Sequence, residues 1–163
     1  MRAGLFLSGL LVTVALSGCT SSGARPRRSE DVVVEQLRLL TSPTVVNFDN
    51  RPGPDGLLAQ VYAFGKGSAK AIRLTDGTLE ITLFDGQHFE YDESARSIWT
   101  RRIEADELRQ LGHGSLIGVG YGVQVRWGES VPTRHDVTLF ARYERSDGEV
   151  VESAGVSLPL RLR

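Results

Sequence analysis

The sequence predicts an all-β fold, an antiparallel β-sandwich of seven or eight short strands with one short helix. Three observations predict it. Several segments alternate apolar and polar residues with a period of two, as a strand with one buried face does. Asx-Gly and Pro/Gly turn signals separate these segments at short intervals. A single stretch, Ala105 to Leu111, has apolar residues at helical spacing, with Ala105, Leu108 and Leu111 on one face.

Taken in order, Val32-Val33-Val34 through Leu40 is β-branched and apolar and reads as the first strand. Thr41 to Gly56, with Pro43, Pro52, Gly53 and Pro54, reads as a long loop. Leu57 to Phe64 reads as the second strand, ended by Gly65-Lys66-Gly67, and Ala69 to Leu74 as a short third one before Thr75-Asp76-Gly77. In Thr78 to Phe84, Leu79, Ile81 and Leu83 share one face and Thr78, Glu80 and Thr82 the other. Asp85-Gly86 turns the chain, and Gln87 to Tyr91 is expected to pair back as a hairpin.

Ile117 to Trp127 alternates more strictly still. Ile117, Val119, Tyr121, Val123, Val125 and Trp127 share a face, and Gly118, Gly120 and Gly122 stand together on the other. Such a bare face weakens a strand unless something approaches closely, and close internal packing is the expectation. Val137, Leu139, Ala141 and Tyr143 alternate next. Ser146-Asp147-Gly148 turns the chain, and Glu149 to Leu162 returns with Val150, Ala154, Val156, Leu158, Leu160 and Leu162 in step. Pro159 lacks an N–H, which puts that end at a sheet edge. Connected in this way, the strands suit an immunoglobulin-like or transthyretin-like sandwich.

Before the domain comes a secretory signal. Arg2 is a positive n-region, and the 14 residues from Ala3 to Leu16 are apolar, short of the roughly 20 that span a bilayer. Leu16-Ser17-Gly18-Cys19 resembles the lipobox of bacterial lipoproteins. The resemblance implies cleavage after Gly18 and a lipid on the Cys19 sulfur, so that membrane lipid is one partner. It also implies the outer membrane over the inner, because Thr20 and not Asp follows the cysteine. The domain organisation is then a signal peptide at 1–18, a lipidated flexible tether at 19–30 and a sandwich at 31–163. Arg25, Arg27 and Arg28 lie in the tether, where they can contact anionic head groups.

The 145 residues from Cys19 to Arg163 make one domain with a sizeable core. Cys19 is the one cysteine, so no intramolecular disulfide can form. Without Arg2 the balance is 18 basic against 20 acidic residues, which gives no footing for nucleic acid. The turns Asp55-Gly56, Asp76-Gly77 and Ser146-Asp147-Gly148, with Gly120-Tyr121-Gly122 and Trp127, look like a set of bacterial lipoproteins. That resemblance implies a fold and no catalytic residue.

Chemical signals are sparse, and no cofactor is expected. His88, His113 and His135 have no metal-type spacing. Gly112-His113-Gly114-Ser115 lacks the strand-to-helix setting of a nucleophile elbow, and Gly118-x-Gly120-x-Gly122 lacks the βαβ setting of a dinucleotide site. Asp49, Asn50 and Asp55 offer oxygens of the kind calcium prefers, with Asp85 and Asp92 as further ligands. Arg51 opposes a cation there, and Asx residues with Pro and Gly also make ordinary turns. Trp127, at the end of an apolar face, is expected in the core; Trp99 is undecided. The sequence therefore points first to a non-enzymatic, lipid-anchored binding or structural module with a protein partner in the envelope. The alternatives are an envelope hydrolase, drawing on residues such as Asp49, Glu90, Asp92 and His113, and a calcium-dependent adhesion module.

Overall fold

A computed structural model describes residues 33–49, 51–128 and 130–160, all within one unit, Asp31–Arg163. The signal peptide, Cys19, the tether, Asn50 and Leu162 lie outside the described residues. The described residues form β1 (Val34–Thr41), β2 (Gly56–Gly65), β3 (Thr78–Asp85), β4 (Ser97–Glu104), α1 (Ala105–Leu111), β5 (Gly112–Ser115), β6 (Gly118–Arg126), β7 (Asp136–Glu144), β8 (Val150–Glu152) and β9 (Val156–Pro159). Sheet A has the order β1-β2-β6-β5. Sheet B has the order β4-β3-β7, with β8 and β9 both on the far side of β7. Every strand pairing is antiparallel. α1 carries the chain from an edge of sheet B to an edge of sheet A.

The fold is thus an antiparallel two-sheet sandwich, and its core follows the period of two. Leu79, Ile81 and Leu83 of β3, Tyr121, Val123 and Val125 of β6, and Val137, Leu139, Ala141 and Tyr143 of β7 are buried in one cluster with Leu57, Val61 and Leu108. Each such aliphatic side chain contributes about 1.5–3 kcal/mol when removed from water. Trp127 is buried at 4 % exposure, and Trp99 packs against the same cluster, partly covered. The helix spans the expected Ala105 to Leu111, with Leu108 inward. Pro159 lies on β9, which pairs on one side with β7 and so tolerates the missing donor.

Five local expectations are corrected. There are nine strands among the described residues, not seven or eight. Ala69 to Leu74 is not a strand. Ala71 and Ile72 instead wedge between the ends of β2 and β6, with the Ala71 N–H bonded to the Ile117 carbonyl and the Ile72 N–H to that of Ala63. Gln87 to Tyr91 does not pair back on β3. That place belongs to β4, whose Arg101, Arg102 and Glu104 mask its strand character in the sequence.

The return after Gly148 is broken into β8 and β9 with one extra residue between them, because Arg142 opposes Glu152 whereas Leu139 opposes Val156. An extra residue exchanges the faces. Val151, not Val150, is therefore in phase with Leu158, and Val150 is 45 % exposed. Lastly, the outer face of β3 is not open throughout, since Thr82 is 2 % exposed. The segment between β3 and β4 folds over it and packs Tyr91 edge-on against Phe84 and Phe140.

Candidate functional site

The outer face of sheet A carries a concavity of about 560 Å³, within the usual range of small-ligand sites. Strand register builds it. Leu40 of β1 opposes Gln60 of β2, and Gln60 opposes Gly122 of β6, so the three stand in one row. Leu58 and Gln124 form the next row. His113 of β5 opposes Gly120 and reaches sideways until its Nε2 is 2.8 Å from Gln60 Nε2. The Gln60 amide N–H donates there, and His113 Nδ1 faces the Leu111 carbonyl at 3.5 Å.

The glycine row explains the opening. A side chain at Gly118 would stand 2.2 Å from the Ala71 carbonyl oxygen, and one at Gly120 2.7 Å from the Tyr62 ring. Close packing therefore fills two of the three places, as expected. Gly122 has only His113 Cε1 nearby, 3.6 Å from where a Cβ would stand. The floor beside it is bare backbone, walled by Leu40 and Leu58 at 46 % and 45 % exposure. Exposed leucines beside convergent polar groups are features of a surface that takes a ligand, a substrate or a partner.

The lining holds no carboxylate, ammonium, guanidinium or thiol. Its serine is engaged with backbone, donating to the Thr44 carbonyl and accepting from the Leu58 N–H through Ser42 Oγ. What the groove offers is amide, hydroxyl and imidazole hydrogen bonds, aliphatic walls and a flat glycine floor. Toward its ends the arginines are held on aromatic rings, Arg38 over Phe64 at 5.1 Å and Arg126 over Phe48 at 4.5 Å.

The residues singled out from the sequence are scattered. His113 lies in this groove, while Glu90 and Asp92 lie in the segment between β3 and β4 of sheet B. Asp92 caps its own turn by accepting from the Ser94 N–H and hydroxyl. Asp49 accepts the Arg51 N–H, and the Arg51 guanidinium stands 3.6 Å from its other oxygen. Asp55 accepts the Phe48 N–H at 2.7 Å. Asn50 is outside the described residues. Among the described residues, no three His, Cys, Asp or Glu side chains gather as a metal site would require.

Asp85 is 8 % exposed and takes the backbone N–H groups of Thr133 and Arg134 and the Thr133 hydroxyl. Burial pushes its carboxyl up, but these bonds outweigh it and hold the group below the usual carboxylate range. Ser115 bonds the Gly118 carbonyl across a turn. His88 packs on Phe84 with ring centroids 5.2 Å apart.

Leu40, Leu58 and Gln60 belong to no motif that marks a site in the sequence. A signal was present: Leu39-Leu40 and Leu57-Leu58 are adjacent pairs, and in a strand one of each pair must face outward. The other outer face, on sheet B, carries a paired charge network. Arg102 meets Glu144 at 3.0 Å, and Arg142 meets Glu93 and Glu152, each at 3.0 Å, beneath the Tyr91 ring.

The chain matches no protein-family model and no curated protein. Among solved structures it is similar to a polysaccharide deacetylase from Bacillus cereus, with a TM-score of 0.38 and 10 % identity. The likeness covers 77 % of this chain and 30 % of that one, so the chain spans under a third of the deacetylase's length.

Proposed function

We propose that this chain is a lipid-anchored protein of the bacterial cell envelope, held at the outer membrane through acylated Cys19, whose sandwich is a non-enzymatic binding module. The observation that carries the binding role is the groove beside Gly122. It pairs exposed Leu40 and Leu58 with the hydrogen-bonding Gln60–His113 pair and is lined by no carboxylate, ammonium, guanidinium or thiol. Its chemistry suits a neutral, partly apolar segment of an envelope protein lying along the strands. Among the described residues no helix is long and apolar enough to cross a membrane, and the lipobox supplies the attachment.

The test is a photo-crosslinking residue in place of Gln124 in the lipidated protein, in intact cells. One dominant protein adduct is expected there, none from the same residue at Glu149, and loss of the adduct on Leu58→Asp. Absence of any adduct at Gln124 would remove the groove as the binding surface. Turnover of an ester or cell-wall polymer by the purified protein, abolished by His113→Ala, would overturn the non-enzymatic reading. Detergent partitioning and mass spectrometry of wild type and Cys19→Ser report the anchor separately; an unmodified thiol at Cys19 would refute it.

A further inference from the structure

The hairpin between β5 and β6 closes with Ser115 opposite Gly118, leaving Leu116 and Ile117 at its tip. Leu116 is 100 % exposed and Ile117 40 % exposed. Leu116 thus packs against nothing in the fold, Ile117 only in part, and apolar surface left in water is unfavourable. The pair's place in the sheet is specific. β1 begins at Val34 opposite Gly65, the last residue of β2, and β6 begins at Gly118. The tip therefore projects from the end of sheet A at which the chain enters the domain. Val33, the residue before β1, is 45 % exposed at that same end.

The charges there fit an anionic surface. The sequence contains two lysines, Lys66 and Lys70. Both are exposed in the turn that follows β2, and the next residue, Ala71, bonds the Ile117 carbonyl at 2.6 Å. Neither lysine has an ion-pair partner among the described residues. Glu35 on β1 is an acidic side chain at this end of sheet A. The β7–β8 turn, joined to segment 74–77 through Asp76, carries Asp147 and Glu149, and Arg145 pairs with both. Aliphatic side chains flanked by ammonium groups are what an interfacial lipid contact uses.

We infer that Leu116 and Ile117, flanked by Lys66 and Lys70, dock this end of the domain onto the anionic lipid surface that holds the Cys19 anchor. The inference rests on the lipid-anchored reading. Cys19 and Val33 are 14 residues apart, a reach of about 50 Å when fully extended. A span of that length does not by itself set the distance or the orientation of the domain relative to the bilayer. A second contact fixes its orientation, because two points of attachment remove the rotation that one leaves free. Docked in this way, the domain stands end-on and the groove beside Gly122 stays clear of the lipid, open to a partner.

The test uses the full lipidated protein in vesicles of phosphatidylethanolamine with phosphatidylglycerol as the minor component. An environment-sensitive fluorophore is placed on Ala69→Cys, between the lysines, and in a second preparation on Thr44→Cys, at the opposite end of sheet A. Emission from position 69 should be blue-shifted and quenched by spin-labelled lipid, and emission from position 44 should not. Leu116→Asp, a change at a fully exposed turn that leaves the fold alone, should abolish the shift. Lys66→Glu with Lys70→Glu, or high salt, should weaken it. Water-like emission at position 69 on a protein shown by mass spectrometry to be acylated overturns the docking and leaves the anchor standing. An unacylated Cys19 overturns both. Equal quenching at positions 69 and 44 overturns the end-on orientation.

Discussion

Tyr143 Oη donates to Asp76 Oδ1 at 3.1 Å and also to the Asp76 carbonyl, tying β7 to the turn before β3. Tyr121 of the facing sheet holds the same segment, its hydroxyl accepting the Leu74 N–H at 2.6 Å. A buried tyrosine needs a partner for its hydroxyl, and here the two core tyrosines spend theirs on one stretch, 74–76. Ser146 completes the arrangement through Asp76 Oδ2.

The pH dependence follows. The Ser146 bond, opposed by partial burial and helped by Tyr143, holds the Asp76 carboxyl below its usual range. A depressed carboxylate adds stability above the unfolded value of about 4 that is lost as pH falls through the folded one. Burial, then the Asp76 charge, pushes the Tyr143 hydroxyl well above the ordinary tyrosine range. Its contribution is complete below about pH 10 and is lost as pH rises toward the folded value. Tyr143→Phe should cost about 1–2 kcal/mol at pH 7 and flatten the alkaline fall. Urea midpoints measured from pH 5 to 11 check both, and an unchanged alkaline fall would assign it elsewhere.

Asp85 makes the second prediction. Its carboxylate anchors Thr133 and Arg134, so Asp85→Ala should destabilise by about 2–3 kcal/mol, the scale of hydrogen bonds to a charged group. Because its folded value is depressed, the contribution should fade as pH falls below about 4. EDTA or added calcium should leave the wild-type melting temperature unchanged. A calcium-dependent rise that disappears in Asp85→Ala would instead make Asp85 a ligand.

Much of the sandwich was legible in the sequence, because wherever one face is buried and the other wet, hydrophobicity alternates visibly. The inward residues of β3, β6 and β7 follow from that alternation, and the span of α1 from the helical spacing of Ala105, Leu108 and Leu111. β4 was hidden because Arg101 lies at the open side of the sandwich, paired with Glu107 of α1, and so breaks the alternation. The groove was hidden for another reason: it depends on which of Gly118, Gly120 and Gly122 a distant residue covers. That is a tertiary fact without a local signature.

Thr82 sharpens the point and gives the third prediction. By alternation it belongs to a wet face, yet it is buried, with the Thr100 hydroxyl 3.4 Å from its own. Ile81→Asp should abolish folding, since an unpaired carboxylate in the core costs as much as a domain has to give. Thr82→Asp should also destabilise by several kcal/mol, whereas Glu80→Gln, partly exposed on the same face and still able to accept the Tyr91 hydroxyl, should change stability by less than about 1 kcal/mol. Denaturant midpoints of the three variants decide it. A harmless Thr82→Asp would mean that the β3–β4 segment does not cover this face.

The glycines supply the fourth. Gly118 has φ +118°, and any side chain there would collide with the Ala71 backbone, so Gly118→Ala should be strongly destabilising. Gly122→Ala meets ordinary contact only and should fold like wild type. It should nonetheless weaken crosslinking from position 124, because it raises the groove floor.

The break between β8 and β9 gives the last. A Cβ at Gly155 would stand 2.6 Å from Phe140 Cζ, and Phe140 cannot retreat, being 2 % exposed and packed edge-on to Phe84 at 5.9 Å. The extra residue is held in place by Ser153, whose Oγ accepts the Ala141 N–H at 3.0 Å while its own N–H bonds the Ala141 carbonyl at 2.8 Å. Gly155→Val should therefore cost about 1–3 kcal/mol or more through overpacking, and Ala154→Val, one residue earlier and exposed, about 0.5 kcal/mol at most. The register has its own signature. Since the slip puts Val151 inward and Val150 outward, Val151→Asp should be the damaging change and Val150→Asp the tolerated one. A strand running unbroken from Val150 to Leu160 would reverse that order, so the two denaturant midpoints locate the extra residue directly.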